Sequence, residues 1–126
     1  MARSRMLVAI LMLAFTGVAV SLRAAPKAEI WIARVSDQAC AAQHSGPGHA
    51  DCIRKCTRGG AAIGHAEWKP QPLVLVKEHD QSVWTVDNPS SLSGLEGQRV
   101  RAEVKVDPAR KGVYINRVRK TSERNP

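Results

Sequence analysis

The run Arg99–Val106 (RVRAEVKV) alternates charged and apolar side chains without a break. A strand sends successive side chains to opposite faces, so Val100, Ala102, Val104 and Val106 share one side and Arg99, Arg101, Glu103 and Lys105 the other. Such a segment demands a core on one face, water on the other, and neighbouring strands to satisfy its backbone. Suitable neighbours exist. Glu29–Val35 (EIWIARV) places Ile30 and Ile32 on one face and Trp31, Ala33 and Val35 on the other, apolar on both, which predicts a strand covered on both sides. Leu73–Lys77 (LVLVK) and Ser82–Val86 (SVWTV) flank the polar stretch Glu78–Gln81 as a hairpin, and Val113–Val118 (VYINRV) returns after the turn at 107–112.

These are five short strands, with a loop or single helical turn at Asn88–Gly97 before the fourth. A chain this short cannot cover both faces of an open, flat sheet, and closing the sheet removes its exposed edges. The predicted fold is therefore mainly β: a small five-stranded, OB-like, partly open barrel with a short helical, Cys/His-bearing insertion after the first strand. The domain is predicted to run over 26–120 with the insertion at 37–60, leaving 121–126 as a flexible tail. Within the insertion, Ser36 or Asp37 offers an N-cap for a turn of helix over Asp37–His44. Ser45-Gly-Pro-Gly48 breaks it, and His49–Arg58 is a second helical segment stopped by Gly59-Gly60.

Residues 1–25 read as a cleavable signal peptide: Arg3 and Arg5 precede the apolar run Met6–Val20, and small residues follow. The apolar run is shorter than the ~18 residues of a spanning helix, so no transmembrane anchor is expected after processing. Export to the periplasm or the medium is the expected address. Arg3, Arg5 and Arg23 leave with the leader, and the remaining Lys/Arg still outnumber the 11 Asp/Glu. That surplus suits ordinary solubility, or an anionic partner such as an envelope component or a polysaccharide.

The chemistry-bearing residues are concentrated in Cys40-AAQ-His44-SGPG-His49-AD-Cys52-IRK-Cys56. Cys40 and His44 are spaced by four, as are Cys52 and Cys56, so each pair on a helical turn lies on one face, and the two faces can converge across the bend. Two readings stay open. In an oxidising compartment, Cys40–Cys52 or Cys40–Cys56 makes a disulfide with one thiol spare, closing a loop of about a dozen residues worth on the order of 3 kcal/mol. Cys52–Cys56 within one helix is the poorer pair. Alternatively Cys40, His44, Cys52 and Cys56 form a Cys3His site for zinc or copper(I), with His49 a further ligand candidate.

The order Val35-Ser-Asp-x-x-Cys40-x3-His44, Cys52-x3-Cys56, Gly60-Ala61, Leu95-x-Gly97-Gln-Arg-Val100 and Val113-x-Ile115-x-x-Val118 resembles a group of small exported bacterial domains. The resemblance implies an OB-like fold and carries no assigned activity. Gly64–Pro72 departs from it as extra length before the second strand, so His65 and Trp68 inherit no role.

Enzymatic readings lack their motifs. There is no C-x-x-C for thiol exchange and no C-x-x-C-H for covalent haem, and nothing supplies Cys40 and His44 with an oxyanion site. The sequence thus reads as a non-enzymatic binding or envelope-associated module stabilised by a disulfide in its helical insertion and needing no cofactor; the alternative is a zinc- or copper-binding protein using the Cys3His cluster. Its second candidate surface is the basic set Arg99, Arg101, Lys105, Arg117 and Arg119, which adjacent antiparallel strands merge into one stripe. Nucleic acid is not the expected partner, because stacking aromatics are scarce there: Tyr114 alone accompanies the stripe.

Overall fold

The computed structural model describes residue 19 and residues 25–61 and 64–123. The expected leader falls almost wholly outside these. Among the described residues there are five strands: β1 (Lys27–Asp37), β2 (Leu73–Lys77), β3 (Val83–Val86), β4 (Arg99–Asp107) and β5 (Gly112–Lys120). One helix, α1 (Ala50–Arg58), follows a 3-10 turn at Pro47–His49, and a second 3-10 turn spans Pro89–Leu92. No helix among the described residues is long and apolar enough to cross a membrane.

The strands close in the order β1-β2-β3-β5-β4, the arrangement of a five-stranded OB-like barrel. Closure rests on the length of β1. Its first part, Lys27–Arg34, pairs antiparallel with β4, while Ala33–Asp37 pairs antiparallel with β2. A single 11-residue strand thus belongs to both walls. The circle is completed by a parallel seam between β3 and β5, only Thr85↔Gly112 and Val86↔Val113. The barrel expected to be partly open is therefore closed, and that two-rung seam is its thinnest point. Between β4 and β5 the register shifts at Glu103/Val104, a bulge that leaves Asn116 extra on β5 and adds curvature where the sheet must turn.

The alternation of β4 is realised in full: Val100, Ala102, Val104 and Val106 are buried and join Trp31, Ala33, Val35, Leu75, Val113 and Ile115 in one core. β1 departs from expectation. Trp31, Ala33 and Val35 face inward, but Ile30 is 57% exposed. A closed barrel has a single interior, so the Ile30/Ile32 face lies on the outer wall. Two connector residues complete the core, Ile53 from α1 and Leu92 from the second 3-10 turn, both fully buried.

α1 docks through an unusually close approach. Gly97 has a φ of +72°, and a Cβ placed there would meet the Ala50 backbone at 3.0 Å. The Gly97 N–H donates to the Val35 carbonyl at 2.8 Å, so the segment leading into β4 is fastened to β1 while α1 rests on it. Beyond α1, Gly60 bridges to His65, whose ring stacks on Trp68 at 3.9 Å. Thr121, the first residue of the expected tail, donates its N–H to Arg99, and Glu123 pairs with Arg34, so the described part of that tail is held against the barrel.

Candidate metal centre

β1 ends at Asp37, and that residue organises the turn after it. Its Oδ1 accepts the N–H of Ala39 at 2.9 Å and of Cys40 at 3.0 Å, while its carbonyl accepts the Ala41 N–H at 2.8 Å. Ser36 Oγ donates to the Ala41 carbonyl at 2.8 Å. Asp37–His44 is thus a series of hydrogen-bonded turns where the sequence predicted a short helix. Asp37 caps the first N–H groups as at a helix start, but Ala41 takes a φ of +47°, outside the right-handed helical region, so no helix follows.

Facing this turn is α1, on which Cys52 and Cys56 lie one helical turn apart. The Cys40 Sγ is 3.9 Å from the Cys52 Sγ and 3.8 Å from the Cys56 Sγ, and the three sulfurs lie within 4.8 Å of one another. All three cysteines are free thiols, Cys52 exposed and the other two partly buried. No pair is at the ~2.05 Å of a disulfide bond. The helix is held in place by the Cys56 carbonyl, which accepts the N–H groups of Gly59 and Gln71.

His44 is not in the group. Its ring stacks parallel on that of His49, with centroids 4.8 Å apart, and among the described residues the converging metal-ligand set is the three cysteines. The Ser45–Gly48 bend brings Cys40 back to the helix but turns the two imidazoles toward each other. The sequence reading placed four ligands together, and the structure assembles three of them.

One feature escapes the sequence. Asp37 is fully buried, and its Oδ2 is, among the described residues, the buried side-chain oxygen without a hydrogen-bond partner. It lies beside the thiols and acts on them. Cys40 is pushed well above its ordinary range, first by burial and then by contact with Asp37, the other two thiols and the Asp37 charge. Cys56 is raised too, by burial foremost, against a lowering contact from Cys40. The signal for Asp37 was its position as a cap; its burial beside the thiols depends on barrel closure.

The basic stripe divides. Arg99 is drawn into an ion pair with Glu78, at 2.6 and 2.9 Å, and also donates to the Ser122 carbonyl. Arg101, Arg117 and Arg119 instead border an open cleft with Glu103, and Lys105 lies farther along β4.

No family model, curated protein or solved structure matches this chain.

Proposed function

We propose that this protein is an exported, non-enzymatic module that binds a thiophilic metal ion through Cys40, Cys52 and Cys56. The observation carrying this reading is the spacing of the sulfurs. Thiolates bound at ~2.3 Å to a tetrahedral zinc stand about 3.8 Å apart, and a trigonal copper(I) site spreads them only slightly more. The Cys40 sulfur stands 3.8 Å from that of Cys56 and 3.9 Å from that of Cys52. Three thiolates suffice for three-coordinate copper(I). Zinc would need a fourth donor, for which water through the exposed Cys52 side or a rotated Asp37 is at hand.

The same proximity supports a rival, a Cys40–Cys52 or Cys40–Cys56 disulfide. Such a staple requires only two sulfurs to converge. Here three do, and Cys40 is about equally close to both of the others, so either staple leaves a third sulfur beside it without a task; this favours the metal. The buried, unpartnered Asp37 Oδ2 adds negative charge beside the cluster, which a cation would offset.

Native mass spectrometry of the exported protein under non-reducing conditions tests the reading. A retained zinc or copper mass, lost in Cys52→Ser, is the expected result. A mass lower by two hydrogens with one alkylatable thiol, unchanged by added metal, would replace the metal centre with a disulfide.

A further inference from the structure

A second site, independent of the thiols, lies on the outer wall of the barrel. Arg101 on β4 and Arg119 on β5 are direct cross-strand partners. Val100 and Ala102, on either side of Arg101, face the core, and Arg119 is exposed directly across from it, so both guanidinium groups stand on the outside. Like charges directly opposite one another weaken an antiparallel pair. The surrounding arginines each meet a carboxylate: Arg34 with Glu123, Arg99 with Glu78, and Arg117 with Glu103 at 4.0 Å. Arg101 and Arg119 have no ion-pair partner among the described residues.

The opposed pair borders a cleft of about 200 Å3 shared with Glu103 and Arg117. Four residues along β4, roughly 13 Å at strand rise, Lys105 stands opposite Tyr114, which is 47% exposed. Ile32 and Ile30 flank Arg101 and Glu103 from β1. The result is a line of cations along two strands, with one carboxylate among them, an aliphatic flank and an aromatic end.

We propose that this stripe binds an acidic, carboxylate-bearing polysaccharide. One carboxylate sits between Arg101 and Arg119, where it converts a repulsive pair into two charge-assisted hydrogen bonds. A following unit reaches Lys105, and its sugar ring lies against Tyr114. The line of charge fits a linear polymer. The outer wall of a narrow barrel is convex, so a flat bilayer would touch only its crest. Single-stranded nucleic acid would need a run of stacking aromatics, and the stripe has one.

The test uses the full exported chain and alginate oligomers as the probe, with uncharged dextran as the control. The double variant Arg101→Gln/Arg119→Gln is compared with Lys69→Gln/Lys111→Gln, which removes equal charge elsewhere on the surface. The expected result is a loss of affinity of about tenfold or more in the arginine variant, near-unchanged binding in the lysine variant, and none to dextran. The arginine variant should also melt no lower than the parent, since the opposed charges are gone; this separates lost binding from lost fold. Equal weakening in both variants would reduce the site to net charge and overturn the proposal. So would binding to phosphatidylglycerol vesicles or an oligonucleotide in the absence of alginate binding, or no binding to any probe. None of these outcomes depends on metal, so the thiol reading stands or falls separately.

Discussion

Asp37 Oδ1 accepts the Cys40 N–H at 3.0 Å while the other oxygen of the same carboxylate is buried without a partner. One atom therefore fixes where the Cys40 thiol is, and the carboxylate adds to burial, the leading cause, in making that thiol hard to ionise. The two roles separate by substitution. Asp37→Asn keeps an acceptor for the Ala39 and Cys40 N–H groups and removes the charge, so the Cys40 thiol should ionise at lower pH. Its alkylation near neutral pH should speed up with little loss of stability. Asp37→Ala removes the acceptor as well and should cost about 1–2 kcal/mol, as for a lost cap. Site-resolved alkylation with mass spectrometry measures the first and chemical denaturation the second. Unchanged Cys40 reactivity in Asp37→Asn would mean that burial alone sets the thiol.

The thiols also give stability a pH dependence of definite sign. Cys40 and Cys56 are both raised above their ordinary value of 9.0, burial being the leading cause. In the reduced, metal-free protein, the folded state keeps protons that the unfolded chain releases as pH rises past that value. This contribution is whole below about pH 9 and declines above it, by at most ~1.4 kcal/mol per pH unit for each thiol. Cys40→Ser should flatten the decline. Metal reverses the sign, because bound thiolates have already lost their protons and the loaded protein gains stability with pH over the range where free thiols are protonated. Denaturation of both forms across this range checks the pair of slopes; parallel slopes would contradict a thiolate-bound metal.

Gly97 links the barrel and the helix that carries Cys52 and Cys56 by steric contact. Its φ of +72° and the Ala50 backbone 3.0 Å from an added Cβ make two separate demands for glycine. Gly94 makes only the first, with φ +83° and open space around it. Gly94→Ala should therefore cost about 1–2 kcal/mol, the left-handed penalty alone. Gly97→Ala should cost more, because the start of α1 must also move. The movement carries Cys52 away from Cys40, so metal affinity should fall in Gly97→Ala and hold in Gly94→Ala. Thermal melts and metal titration of the two variants measure these effects; equal affinity in both would uncouple the helix position from the site.

Much of this was legible in the residue order, for physical reasons that also mark where legibility stopped. β4 was readable because its period of two is unbroken and its polar residues are charged. Ile30 was misleading because apolar alternation records which side chains avoid water on average, not whether the sheet curls away from them. Cys52 and Cys56 share a helix face by spacing alone, and Cys40 follows from the turn after β1. His44 has the same spacing from Cys40, but the turn held by Asp37 is not a helix, so the spacing does not bring it to the thiols. Arg99 and Arg101 look alike in sequence. Only the closed barrel brings Glu78, in the turn after β2, against Arg99 and leaves Arg101 facing Arg119.

Ile53 tests whether the insertion is an integral part of the barrel or an appendage. It lies between Cys52 and the rest of α1, is fully buried, and shares the barrel core. Ile53→Val should cost about 0.5–1.5 kcal/mol and Ile53→Ala about 2–5 kcal/mol. If α1 and the barrel unfold as one unit, amide exchange in β4 and α1 should quicken together in Ile53→Ala. Metal should offset the damage: a ligand at a hundred times its Kd adds about 2.7 kcal/mol to the folded state, tying α1 to the Cys40 turn from the opposite side. The metal-loaded variant should then recover most of its lost melting temperature, while Ile53→Ala combined with Cys52→Ser should recover none. Acceleration confined to α1, with β4 unmoved, would show that the helix opens locally and that the thiols meet on a docked flap outside the cooperative core.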